Sequence, residues 1–258
     1  MRQYRFLETI TTLYVTFQLI SDVTASKLIT ICGVPLSVTV LFFPVTYIFA
    51  DILTEVYGYA QARRAIWHAL IASVLAALAY HLTLLIPPAA GTSDAAHQQV
   101  LGTVPRILVG GWIAVWTGAL LNDYILAKMK VWTKGRFLAL RTISSTVIGE
   151  LANTSLFYWI ALAGIMSGDS LVQSILVGAS IKVMVEIVCT PWTCWVVRTM
   201  KRLEKEDFYD QNTNFNPFAL YISNVRPSGC CSSAARDPQC ATVQNNCTEQ
   251  ACCAICAK

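Results

Sequence analysis

Asp51 and Glu55 stand four residues apart inside an otherwise apolar and aromatic run, FFPVTYIFADILTEVYGYAQARR, Phe42 to Arg64. On a helix that spacing puts both carboxylates on one face, about 6 Å apart along the axis. Lys182 and Glu186 repeat the spacing with opposite signs. Ser21, Asp22 and Lys27, then Asn122 and Asp123, then Glu150 and Asn153 add polar groups to further apolar runs. Such groups can hydrogen-bond a polar solute, carry protons, line an ion path or act as acid and base. An ionisable group at mid-membrane costs about 2.5–3.5 kcal/mol, so these side chains are expected to face inward and pair. Polar groups from five helices turned to one interior describe a pocket.

Each group also has a plain structural use. Glu55 lies near the end of its run, where Arg63 or Arg64 can pair with it at an interface. Asp123 is close to a basic loop, and Lys27 can extend its ammonium to the opposite interface. Lys182 and Glu186 can form an internal salt bridge that fixes helix packing. Asp51, Glu150 and Asn153 lie deepest and are the strongest ligand candidates. His81, beside Tyr80 at the outer end of its segment, fits an interfacial belt. Pro44 and Pro191 each free a backbone carbonyl within an apolar run, and Pro44 lies two turns before Asp51.

The elements that must position these groups follow from composition. Of 258 residues, 55% are hydrophobic and 13% charged, about half the charged fraction of a soluble domain. Six runs near 7–29, 36–57, 65–86, 105–127, 142–166 and 171–197 reach the length needed to cross a bilayer. The expectation is an all-α polytopic membrane protein, a bundle of six transmembrane helices. Arg2, Arg5, Arg63, Arg64, Lys128, Lys130, Lys134, Arg136, Arg141, Arg198, Lys201, Arg202 and Lys205 fall on one side, and only Arg106 on the other. Basic residues stay cytoplasmic, so both ends of the bundle are expected there. The net charge of +4 therefore reports topology and not a nucleic-acid partner. Arg2, Arg5, Val23 and Ala25 could belong to a cleaved leader, but Thr9, Thr11, Thr12, Thr16 and Gln18 make its core too polar. The segment is read as a retained first helix.

Two units are expected: residues 1–218 as the transmembrane domain, and 219–258 as a cysteine-rich tail. The tail holds seven of ten cysteines but only one C-x-x-C spacing, Cys253 to Cys256. A metal-binding segment and a disordered or appended one both remain open for it, with the second favoured. Cys32, Cys189 and Cys194 read as helix-packing residues.

The run from Phe43 and Pro44 through Asp51, Thr54, Glu55, Tyr57, Gly58, Ala62 and Arg63 resembles the signature of the queuosine-precursor transporters, the vitamin-uptake-transporter-like family. ASK at Ala25 to Lys27, RTISSTVIGEL from Arg141, IKVMVEIVCTPW from Ile181 and YDQNTNFNPF from Tyr209 are similar too. The resemblance covers about residues 7–218 and not the tail. Two positions depart from the family pattern: Asp22 where asparagine is common, and Asn153 where aspartate is common. The resemblance implies import of 7-cyano- or 7-aminomethyl-7-deazaguanine, for tRNA modification, across the inner membrane of a prokaryote. It implies a polar central site without cofactor or metal, for which the candidates are Asp22, Lys27, Phe43, Asp51, Glu55, Glu150, Asn153, Lys182 and Glu186. A carboxylate would take the donor edge of the base, a lysine or Asn153 its carbonyl, and aromatic rings its face.

The expected partners are that small molecule and the lipid bilayer, with either an ATP-driven importer or further copies of the chain. No G-x-x-x-x-G-K-[ST] loop occurs, so any ATP hydrolysis belongs to a partner. An intramembrane enzyme and a proton or cation channel are the alternatives. Against the enzyme stand the missing H-E-x-x-H and G-x-S-x-G motifs.

Overall fold

The structure is a computed structural model describing residues 4–24, 27–31, 34–89, 95–102, 105–164, 167–211 and 213–219. The chain divides into Met1–Tyr221 and Ile222–Lys258. The cysteine-rich tail beyond Ala219, and Cys32, lie outside the described residues.

The first unit is mostly helical. In chain order it contains α1 Leu7–Thr24, β1 Leu28–Ile31, β2 Val34–Ser37, α2 Thr39–Ile52, α3 Tyr59–Leu85, α4 Ala95–Leu101, α5 Pro105–Trp132, α6 Leu138–Phe157 and α7 Gly168–Glu204. α2 and α6 each run on into a π-helical turn, Leu53–Tyr57 and Tyr158–Leu162. Turns of this kind often occur at functional sites.

The helix boundaries correct the sequence reading in several places. The first helix stops at Thr24, short of the expected 29, and an antiparallel hairpin follows, with Leu28 opposite Ser37 and Ile31 opposite Val34. That run is rich in β-branched residues and carries Pro35, both poor in a helix, so the fold is not purely α. α3 starts at Tyr59 and not at 65, directly after Gly58, whose φ of 86° breaks the chain direction. A side chain there would meet Phe208 Cδ1 at 2.3 Å. Arg63 and Arg64 therefore belong to the helix and not to a loop. The long connection near 87–105 contains α4, a seven-residue helix too short to span anything.

The packing is inverted relative to a soluble protein. Arg63, Arg141, Lys130, Glu55, Glu150 and Glu186 are among the most deeply buried side chains, whereas Leu75, Leu82 and Leu85 on α3 and Met184 and Val188 on α7 are exposed. Charged residues are almost never buried unless paired, and apolar ones are exposed in rows where lipid covers them. α3 and α7 are both long and apolar enough to cross a membrane. This is a membrane protein with a polar interior.

α5 and α6 make the most extensively packed helix pair. Their approach is set by two glycines, as small residues do in membranes. A side chain on Gly118 would meet Asn153 Cβ at 2.6 Å and the Gly149 carbonyl at 2.8 Å; one on Gly149 would meet Asn122 Cβ at 2.9 Å. The two glycines thus bring Asn122 and Asn153 against one another's helix.

Candidate functional site

The interior of the bundle is organised as three polar clusters. In the first, Lys182 on α7 donates to Glu150 Oε2 on α6 at 3.0 Å and approaches the Thr154 hydroxyl at 3.5 Å. The same ammonium lies 4.5 Å from the centre of the Phe43 ring on α2. Phe43 packs against Tyr47 with ring centres 5.5 Å apart. The Tyr47 hydroxyl lies beside Asn153 and Gly118. It makes no hydrogen bond, nor does Asn153 Nδ2. The expected Lys182–Glu186 bridge is not formed. Lys182 reaches across to α6, and both carboxylate oxygens of Glu186 are buried without a hydrogen-bond partner.

In the second cluster Asn122 Nδ2 donates to Asp51 Oδ1 at 2.9 Å. Asp51 Oδ2, Asn122 Oδ1, both Asp123 oxygens and the Thr54 hydroxyl have no partner. Asp51, Asn122 and Asp123 are all 0% exposed. Glu186 lies within electrostatic reach of Asp51 and of Glu150, which links this cluster to the first. Leaving one buried polar group unpaired costs about 1–3 kcal/mol, so so many together mark a place built for something other than stability.

The third cluster closes one end of the bundle. Glu55, in the π turn, is paired by Arg141 Nη1, by Lys201 Nζ at 3.0 Å and by Lys130 Nζ at 3.7 Å. Lys130 and Lys201 also hold Asp207, at 2.7 and 2.8 Å. Lys130 further donates to the carbonyls of Glu55 and Phe208, each at 2.6 Å. Glu55 is therefore neither Asp51's partner in a shared pocket nor bound to Arg63 or Arg64; it is the hub of a cation network. Arg63 instead donates to the carbonyls of Asn214 and Asn216, both at 2.7 Å.

Those carbonyls belong to a strap, residues 206–211 and 213–219, that follows α7 back along α3 and α5. Asp210 accepts from the Tyr59 amide at 3.1 Å and from Thr213 at 2.7 Å. Trp67 Nε1 donates to the Pro217 carbonyl at 2.9 Å. Phe215 packs on Tyr59 and Tyr124, and Phe218 on Trp67 and Trp116. Burial raises the Asp207 carboxyl, but the Lys130 and Lys201 ammoniums outweigh it and hold the group below the usual carboxylate range. Asp210 is pushed above that range by burial, which its hydrogen bonds from Thr213 and Tyr59 offset only in part.

Two expected site residues lie apart. Asp22 Oδ1 accepts from Gln18 at 3.0 Å and Oδ2 from Ser73 on α3 at 2.5 Å. It lines a cavity of about 40 Å³ with His81, Tyr80 and Trp112, room for a few waters and not for a base. His81 bonds back to the Ala77 carbonyl at 3.1 Å. Lys27 is exposed where the chain enters the hairpin, and does not join the clusters.

The structure thus brings together Phe43, Asp51, Glu150, Asn153, Lys182 and Glu186, sets Asp22 and Lys27 apart from them, and commits Glu55, although near Asp51, to its own cations. Sequence reasoning missed Tyr47, whose hydroxyl gives no signal in an aromatic run. It treated Lys130, Arg141 and Lys201 as loop charges, although each turns inward to Glu55.

Comparisons with known proteins bear on what this interior serves. A family model described as "Putative vitamin uptake transporter" matches residues 37–196, more than half of the chain. One similar protein is the "Probable queuosine precursor transporter" of Bacillus subtilis (strain 168), 25% identical over 168 residues, which are 64% of this chain and 73% of that protein. No solved structure matches the chain.

Proposed function

The chain belongs to the vitamin-uptake-transporter family, and from that premise we propose that it imports queuosine precursors, 7-cyano- or 7-aminomethyl-7-deazaguanine. In this reading α1, α2, α3, α5, α6 and α7 cross the inner membrane of a prokaryote, with both ends of the bundle cytoplasmic. The gathering of Lys130, Arg141 and Lys201 with Arg63 at one end supports that orientation.

The observation that carries the reading is Glu186: 1% exposed, with two unpartnered carboxylate oxygens. A guanine-like edge presents two N–H donors side by side, which one carboxylate accepts as a pair. Its carbonyl needs a donor, and Asn153 Nδ2 is a buried donor without a partner. Asp51 Oδ2 supplies a further acceptor, and the Phe43 and Tyr47 rings supply apolar faces against which a flat base rests. Glu150 and Lys182 tie α6 to α7 and so fix where Glu186 and Asn153 lie.

Uptake of labelled deazaguanine into cells lacking their own importer tests this. The wild-type chain is expected to restore uptake, and Glu186→Gln to lower it about tenfold through loss of a charge-assisted hydrogen bond. Normal uptake by a Glu186→Gln, Asn153→Ala double variant at equal membrane abundance defeats the site assignment. No uptake by wild-type chain seen in the membrane defeats the function.

A further inference from the structure

Asp51, Asp123 and Glu186 make no ion pair among the described residues, although each is at most 1% exposed. The cations near them are committed elsewhere. Lys182 is held by Glu150, while Arg141, Lys130 and Lys201 are held by Glu55 and Asp207. Arg63 is held by two strap carbonyls.

The groups that face the three acids deepen the imbalance. α1 brings Tyr14 near Asp123 and Asp22, and the π turn brings Glu55 near Asp51. α6 brings Glu150 towards Glu186, and α7 brings Cys194 towards Asp51. The strap brings Asp210 towards Asp123. Thr54 and Asn122 are neutral side chains turned towards Asp123, and neither brings a positive charge.

At low dielectric these acids must either meet a cation or carry a proton. Among the described residues, no three His, Cys, Asp or Glu side chains gather closely enough to hold a metal ion. A proton makes no such demand, since one carboxylate oxygen suffices. The Thr54 and Asn122 side chains are the neutral polar neighbours of the Asp123 carboxyl.

We propose that Asp51, Asp123 and Glu186 form a proton-carrying site that couples import to an inward proton gradient. The idea rests on the transport reading above. One proton enters from outside onto Asp123 while Glu186 takes the donor edge of the base. Proton and base cross together, and the O–H bond breaks to water on the cytoplasmic side as the base leaves. No other bond changes.

The test uses the full chain in liposomes with labelled 7-deazaguanine base, under an inward proton gradient, an inward sodium gradient or neither. A gradient of one pH unit is expected to sustain about tenfold accumulation, since one proton per base carries that factor. A protonophore should reduce it to simple equilibration. Asp123→Asn should equilibrate the base but no longer concentrate it. Equilibration that ignores the proton gradient, or accumulation driven by sodium, overturns the coupling and leaves the transport reading standing. A second measurement does not need transport: potentiometric titration of the purified chain against an Asp51→Asn, Asp123→Asn, Glu186→Gln variant. The wild-type chain should bind more protons across neutral pH, and identical curves overturn the proposal even if no base crosses.

Discussion

Lys182 on α7 donates across to Glu150 on α6 at 3.0 Å and leaves Glu186, one turn further along its own helix, with both oxygens unpartnered. An intrahelical pair would have neutralised α7 alone. The cross-helix pair instead ties two helices together and keeps one carboxylate free a turn away. A structural bond and a candidate binding group are separated by a single helical turn.

Removing one member of that pair should be costly in a way that removing both is not. Glu150→Ala leaves an ammonium at low dielectric, and stability should fall by about 3–5 kcal/mol. Glu150→Leu with Lys182→Met should recover most of the loss, because neither charge is then stranded. Thermal unfolding of the three variants in detergent measures this. A double variant no more stable than Glu150→Ala would mean that the two residues do not act as a pair.

Gly118 sets the distance between α5 and α6. Its added methyl group would sit 2.6 Å from Asn153 Cβ and 2.8 Å from the Gly149 carbonyl, so Gly118→Ala must push the helices apart. Overpacking of this kind typically costs about 1–3 kcal/mol, and the shift also moves Asn153. Gly168→Ala, where nothing lies within 4 Å, is the matched control and should unfold like wild type. Equal melting temperatures for the two substitutions would show that the crossing is loose.

Much of this arrangement was legible in the sequence, and the gaps have physical causes. The inward carboxylates were readable because a charge in an apolar run has nowhere else to go. Asp51, Glu150 and Asn153 met that expectation of burial. What one-dimensional spacing does not give is the partner. Four-residue intervals suggested Asp51 with Glu55 and Lys182 with Glu186; instead Asp51, Glu55 and Lys182 each pair across helices, and Glu186 is left without a hydrogen-bond partner. Lys130 and Lys201 look like loop charges because they follow apolar runs, yet α5 and α7 extend past the expected ends and turn them inward. The strap was visible only as the motif YDQNTNFNPF, which has no helical or strand periodicity to say where it docks.

Glu55 holds three cations, so its loss should be worse than that of any one of them. Glu55→Gln leaves Lys130 and Lys201 with Asp207 as their one remaining carboxylate among the described residues and Arg141 with backbone carbonyls alone, and Arg141 and Lys130 are 1% exposed. Destabilisation of about 3–5 kcal/mol is expected, enough to lower the amount of folded protein recovered. Asp207→Asn should be much milder, since that carboxylate is 44% exposed and solvent screens it. The folded fraction by size-exclusion chromatography ranks the two. A Glu55→Gln variant recovered as well as Asp207→Asn would remove Glu55 from the centre of the network.

The strap carries two carboxylates whose titrations pull in opposite directions. Asp207 is held below the ordinary value of ~3.9 by Lys130 and Lys201. Its contribution to docking is therefore complete above that value and lost as pH falls through the lower folded one. Asp210 is raised by burial, so its contribution is complete below ~3.9 and lost as pH rises through its higher folded value. Docking should be firmest in acid near the ordinary carboxylate value and slacken on both sides. The Tyr59 amide, which donates to Asp210, reports it directly by hydrogen exchange once the rates are corrected for the intrinsic effect of pH. Asp210→Asn should protect that region more than wild type does at neutral pH, because no buried charge remains there. Asp207→Asn should protect it less at neutral pH, the two ammoniums having lost their shared anion. If Asp210→Asn instead exposes the amide at neutral pH, the ionised carboxylate is what holds the strap down, and burial does not govern its titration.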